Sequence, residues 1–192
     1  MVEQLSFHNE QSEPLKVRNN TIRQMIEAGE TPMLAFEKQK LLSELLGHVA
    51  TQGNLTEMLG EAMSTTSETW HDNAQADAIV MQSAILEKQA GDVIQKLHTS
   101  RVVDVYEGEH STVTIGSVAE LRLNRSPMSV LLLGSSRELP EGMENDELMV
   151  VNMSSPIGRA IFDKEVGEDA HYEVNGRQFT VTINSIDSIY HK

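Results

Sequence analysis

From Thr31 the apolar residues fall at helical spacing: Leu34, Leu41, Leu42, Leu45, Leu46 and Val49, resuming past Gly53-Asn54 with Leu55, Met58, Leu59 and Met63. Thr31 reads as a cap and Pro32 as the first helical residue, where its missing N–H costs nothing. Gly53 and Gly60 weaken the helix by about 1 kcal/mol each, so a bend or fraying is expected near Gly53. A polar stretch over residues 64–73 then reverses the chain. In the second helix Ile79, Leu86 and Val93 recur every seventh residue, Ala90 and Leu97 form a companion row, and Ala74, Ala76, Ala78 and Ala84 keep it slim. The pattern predicts two antiparallel arms joined by one seam, each roughly 40–48 Å long at 1.5 Å per residue. A hairpin of that length has little core beyond its seam. It reads as a device for reaching a partner, with a dimerisation coiled coil as the alternative that the same heptads serve.

Beyond Arg101 the period falls to two. Residues 102–106, 112–115, 118–123, 129–133 and 148–151 read as strands, Pro156 opens a Ser-capped helix that ends before a turn at Gly167, and residues 171–174 and 178–183 flank Asn175-Gly176, a type I′ hairpin signal. The predicted class is α+β: an N-terminal antiparallel two-helix coiled-coil hairpin followed by an antiparallel sheet domain with one short helix. The expected domains are residues 31–100 and 101–192. Residues 1–30 are polar, contain Pro14, and have only Val17, Ile22, Met25 and Ile26 to form a short helix ended by Gly29. They read as a loosely held, flexible extension that protease should cut quickly.

Charge narrows the function. The chain has 29 acidic and 15 basic residues, a formal net charge of −14, which is the wrong sign for wrapping a phosphate backbone. Free DNA binding is not expected, and the surplus carboxylates also serve solubility. Without cysteine there are no disulfides or thiolate metal sites, in keeping with a reducing compartment. The first residues form neither a basic n-region nor an apolar h-region, and no apolar run spans a bilayer; the expected location is cytoplasmic, with no membrane contact.

The stretch from Val151 to Glu168, Val-x-x-x-Ser-Pro-Ile-Gly-Arg-Ala-Ile-x-x-Lys-Glu-Val-Gly-Glu, resembles the signature of the C-terminal domain of bacterial Gre transcript-cleavage factors, GreA and GreB. The opening from Phe36 to Leu45 is similar to that family's Tyr-x-Lys-Leu-x-x-Glu-Leu, and Asp72-Asn73-Ala74 to the Glu-Asn-Ala that starts its second helix. The resemblance covers about residues 33 to 190 and implies an FKBP-like C-terminal domain. It further implies a transcription elongation factor that binds RNA polymerase, enters its secondary channel with the hairpin, and acts on the 3′ end of backtracked RNA only through that enzyme. Two tip carboxylates would help to hold the second catalytic Mg ion. Magnesium takes six oxygen ligands, so two carboxylates cannot hold it alone and must complete another enzyme's site.

Against the family's Gly-Asp-Leu-x-Glu-Asn-Ala, Asp72 stands at the Glu and Thr69 at the Asp, with Glu68 next door. The resemblance thus points to Asp72 and Glu68 as the tip carboxylates. The alternative is that both are ordinary solvated residues, Asp72 being favoured only by the helix dipole, in a non-catalytic regulator that plugs the channel. Trp70, the only tryptophan, reads as a contact residue on a polar tip or as a ring folded back on the hairpin. Ser154, Ser155 and Pro156 match a loop that contributes to docking in the family, although a helix cap explains Ser155 and Pro156 equally. Gly134-Ser135-Ser136-Arg137 replaces the family's acidic Gly-Asp-x-Glu docking step. A peptidyl-prolyl isomerase is a third reading, weakened by an aromatic content of 4% where such an enzyme needs an aromatic-lined pocket.

Overall fold

In the computed structural model the described residues are 3–65, 74–123, 126–140, 143 and 148–189. They fall into two compact units, residues 38–99 and a second unit that combines 1–37 with 100–192.

The smaller unit is the helical hairpin, made by α2 (Ala35–Thr65) and α3 (Ala74–Thr99). Its seam follows alternating spacings of four and three. On α2 the shielded positions run Leu41, Leu45, His48, Gln52, Leu55, Leu59 and Ala62, and on α3 they run from Ala76 through Ile79, Ser83, Leu86, Ala90 and Val93 to Leu97. Leu55, Ala62 and Ile79 form its small core with Leu59 and Leu86, and the Gln52 amide donates to Ser83 Oγ at 2.5 Å. Leu42, Leu46 and Val49, which share the helical period, lie outside this seam and are exposed. α2 is continuous through Gly53.

The larger unit holds the main core. A five-stranded sheet of order β5-β4-β3-β7-β6 is built from β3 (Ser117–Leu123), β4 (Ser126–Leu133), β5 (Leu148–Asn152), β6 (Asp169–Val174) and β7 (Arg177–Ser188). Its alternating strands bury one face: Ala119 and Leu121 on β3 and Val181 and Ile183 on β7 are all at 0% exposure. β4 instead buries four successive residues, Val130 to Leu133. Asn175 and Gly176 both take positive φ, 52° and 76°, as the I′ turn requires. α4 (Pro156–Ile161) is the short helix expected after Ser155. The α+β order of helical hairpin followed by sheet is therefore present.

Four expectations need correction. β4 and β5 pair in parallel, so the sheet is mixed rather than antiparallel. Residues 102–106 and 112–115 form little strand: β2 is only Ser100–Val102, and Thr112 makes one bridge to Glu165. Thr31 and Pro32 do not open a helix, because β1 (Thr31–Met33) pairs in parallel with β2 and α2 starts at Ala35. The hairpin unit accordingly begins at residue 38 rather than 31.

The fourth correction is the largest. Within residues 1–30, α1 (Glu3–Glu27) is not a loose extension, since it packs its second half into the larger unit's core. Leu15, Asn19 and Ile22 are fully buried. The Asn19 amide donates to Thr112 Oγ1 at 3.1 Å and to Asp163 Oδ1 at 2.8 Å, while Arg23 pairs with the same Asp163. Arg18 donates to Thr114 and to the Asp104 and Ile115 carbonyls; burial lowers its pKa to about 10, with Asp104 opposing the shift. A polar composition concealed the helix because its anchoring rests on a few long-range hydrogen bonds as much as on apolar area. Gly29, at φ 78°, ends it as expected.

Candidate docking site

Parallel pairing of β4 and β5 decides where the two candidate docking stretches lie. Gly134–Arg137 follows β4 and Ser154–Pro156 follows β5, so both leave the sheet at the same end. In an antiparallel pair they would leave at opposite ends. Asn152 joins them. Its buried side chain accepts from Ser154 Oγ at 2.7 Å and from the Ser155 N–H at 3.0 Å, and its amide donates to the Ser135 carbonyl at 3.4 Å.

Glu37 fixes the first stretch from below. It is 1% exposed, and its carboxylate accepts backbone N–H bonds from Leu34 (2.8 Å), Gly134 (3.2 Å), Ser135 (2.8 Å) and Ser136 (2.7 Å). Three successive amides converging on one anion form a nest. The bond to Leu34 is the back-reaching half of a capping box at the start of α2. Gly134 is dictated by closeness: a Cβ there would stand 1.8 Å from the Pro32 carbonyl oxygen. The acidic group missing from the 134–137 stretch itself is thus present beneath it, supplied by another element, but turned inward.

Ser155 is the N-cap of α4. Its hydroxyl accepts from the Gly158 N–H at 3.0 Å and donates to the Asn152 carbonyl at 2.7 Å. Pro156 occupies the first helical position, as the sequence indicates. Ser155 therefore shapes the loop, while Ser154, Pro156, Arg137 and Arg159 are exposed.

Residues 108–188 match the family model described as transcription elongation factor, GreA/GreB, C-term. The chain carries a Gre-type C-terminal domain. The match covers that stretch alone and includes the Ser154–Pro156 loop. Solved structures similar to the chain include GreA factor homolog 1 (Gfh1) of Thermus thermophilus, at 19% identity and TM-score 0.37, covering 83% of this chain and 99% of the other. Gfh1 of Thermus aquaticus gives the same identity, score and coverage. A GreA/GreB factor of Nitrosomonas europaea shows 14% identity and TM-score 0.31, covering 82% and 97%. No curated protein matches the chain.

The proposed tip residues Glu68, Trp70 and Asp72 lie outside the described residues, as does Thr69. Among the described residues no group of three or more His, Asp or Glu side chains is placed to hold a metal ion. Sequence reading missed Glu37 and Asn152. Neither belongs to a spaced motif, and the one available signal was Glu37 three residues after Leu34, the capping-box spacing.

Proposed function

We propose that this chain acts on RNA polymerase, entering the secondary channel with its hairpin and stimulating cleavage of backtracked RNA. The observation that carries the reading is the Gre-type C-terminal domain in one chain with a two-helix hairpin unit. The Ser154–Pro156 and Gly134–Arg137 loops would meet the polymerase surface, held by Asn152 and Glu37. At the hairpin's turn Asp72 and Glu68 would supply oxygen ligands toward a magnesium ion shared with the polymerase. The ion's chemistry in such a site is to help activate water and neutralise charge on the phosphate being cleaved. The chain itself supplies two carboxylates and their delivery; the remaining donors and the scissile RNA belong to the polymerase.

Cleavage of stalled elongation complexes tests this. Asp72→Ala should abolish stimulated cleavage while leaving polymerase binding nearly unchanged, since the lost group would act on the ion and not on the docking surface. Joint replacement of Ser154 and Pro156 should weaken binding while excess protein restores the cleavage rate. Thr69, standing where the family has Asp, favours one second reading, a factor that occupies the channel without cleaving. Normal cleavage by Asp72→Ala, or occupancy with no stimulation by the unaltered chain, would select against the catalytic reading.

A further inference from the structure

α4 is held at both ends, and the two holds come from different parts of the chain. At its start Asn152 and Ser155 tie it to the end of β5. It has only six residues, too few for a helix to keep its shape unaided, so its direction is set by what grips its ends. At the far end Phe162 is the C-cap and the chain turns at Asp163, whose φ of 64° is left-handed. Helices usually place glycine directly after the C-cap, because a Cβ is strained in that conformation.

Asp163 bears the strain, and its side chain has work that glycine could not do. Its carboxylate accepts from the Asn19 amide at 2.8 Å and pairs with Arg23. Both partners stand on α1, outside the matched Gre stretch of residues 108–188. α1 grips both sides of the same joint. Thr112 and Glu165 form a bridge, the Val113 N–H donates to the Lys164 carbonyl at 2.9 Å, and the Asp163 N–H donates to the Val113 carbonyl at 2.8 Å. Across that bridge Asn19 donates to Thr112 Oγ1 at 3.1 Å, and Lys16 pairs with Glu165 at 3.6 Å. Asn19 is fully buried and its Oδ1 has no partner among the described residues, so an apolar side chain would serve stability better there. What asparagine adds is a pair of N–H groups directed at Asp163 and Thr112.

We propose that α1 positions the Ser154–Pro156 loop through Asp163: Asn19 and Arg23 fix the far end of α4, and with it the surface that Ser154, Pro156 and Arg159 present to a partner. The identity of that partner rests on the polymerase reading above; the linkage within the domain does not. α4 rises about 9 Å at 1.5 Å per residue, so a tilt at its end is carried to the loop at its start. Asn19, being fully buried, acts on docking without touching the partner. Asp163 is thus a positioning residue.

The test uses the full chain and two readouts. In the free protein, the backbone amide NMR signals of Ser154, Ser155, Ile157 and Arg159 report the loop. Asp163→Gly keeps the left-handed turn and removes the carboxylate, and Asn19→Ala removes the donor on α1. Each should move those signals, and the double variant should move them no further than the larger single change. Asp163→Asn tolerates the same φ and keeps an acceptor oxygen, so it should restore them. With RNA polymerase, the half-saturating concentration read by displacement of labelled unaltered chain should rise roughly fivefold to tenfold for Asp163→Gly and for Asn19→Ala, while the cleavage rate at saturation stays unchanged. Ile22→Val loosens the apolar packing of α1 without touching Asp163; it should lower the thermal midpoint and leave loop signals and affinity alone. Unmoved loop signals in Asp163→Gly overturn the proposal, as does a loss of affinity that Ile22→Val matches. Moved signals with unchanged affinity equally overturn it. If the unaltered chain does not bind polymerase, the functional reading falls, and the loop signals alone support or refute the positioning by α1.

Discussion

Glu37 shows how one side chain can tie a loop to the start of a helix. Its carboxylate accepts four backbone N–H bonds in a nearly dry setting. Glu37→Gln keeps the size but turns an NH₂ group toward amides that need an acceptor, so a loss of about 2–3 kcal/mol is expected in urea unfolding. Glu168 provides a titratable counterpart on the surface. Its carboxylate accepts the Glu165 N–H at 2.8 Å and lies 3.5 Å from Lys164. The backbone bond chiefly, opposed by slight burial and aided by Lys164, holds its pKa below the usual carboxylate value. A lowered native value stabilises the fold above the unfolded carboxylate's range, and that contribution is lost as pH falls through the native value. Glu168→Gln should flatten this part of the acid unfolding profile, and a carboxyl NMR titration should place Glu168 below the usual glutamate range. Residues of this kind escape sequence reading because their roles depend on amides distant in the chain. Ser155 and Pro156 were legible because a cap is local.

At the scale of elements, period and turn chemistry located both hairpin helices, β3, β5, α4 and the β6–β7 turn. The apolar run Val130 to Leu133 made β4 readable as a strand, yet its parallel pairing with β5 was hidden, since strand direction does not follow from either strand's pattern. α1 was undervalued for a similar reason: its apolar anchors are only Leu15 and Ile22, supplemented by hydrogen bonds to partners far along the chain. Burial of two such side chains contributes about 3–6 kcal/mol. Removing residues 1–30 should therefore lower the thermal midpoint of the larger unit, read by calorimetry, and in the intact chain residues 14–27 should resist limited proteolysis as long as that unit stays folded. Within the hairpin, heptad counting found α3's seam but did not separate Leu42, Leu46 and Val49 from the seam of α2. Both the seam and its exposed flank are apolar on α2, and the seam itself contains His48 and Gln52, so hydrophobicity alone does not separate them.

Considered as a whole, the chain combines a helical hairpin unit with a Gre-type domain, and the tip chemistry rests on sequence: Glu68 and Asp72 lie outside the described residues. An incomplete ligand set should bind magnesium only weakly without polymerase, and calorimetry on the isolated chain checks this. A tight stoichiometric site would remove the shared-ion proposal. The connectivity of the larger unit has a consequence for how the chain is made. Asn19 leaves the ribosome 144 residues before its partner Asp163, with the entire hairpin sequence between them. At about 5–20 residues per second, α1 waits roughly 7–30 s before its binding groove exists. During that interval Leu15 and Ile22 have no native cover, so nascent chains stalled before Asp163 should be cleaved within α1, and chains released after β7 should be protected there. An element synthesised well before its partners is among the last to be secured.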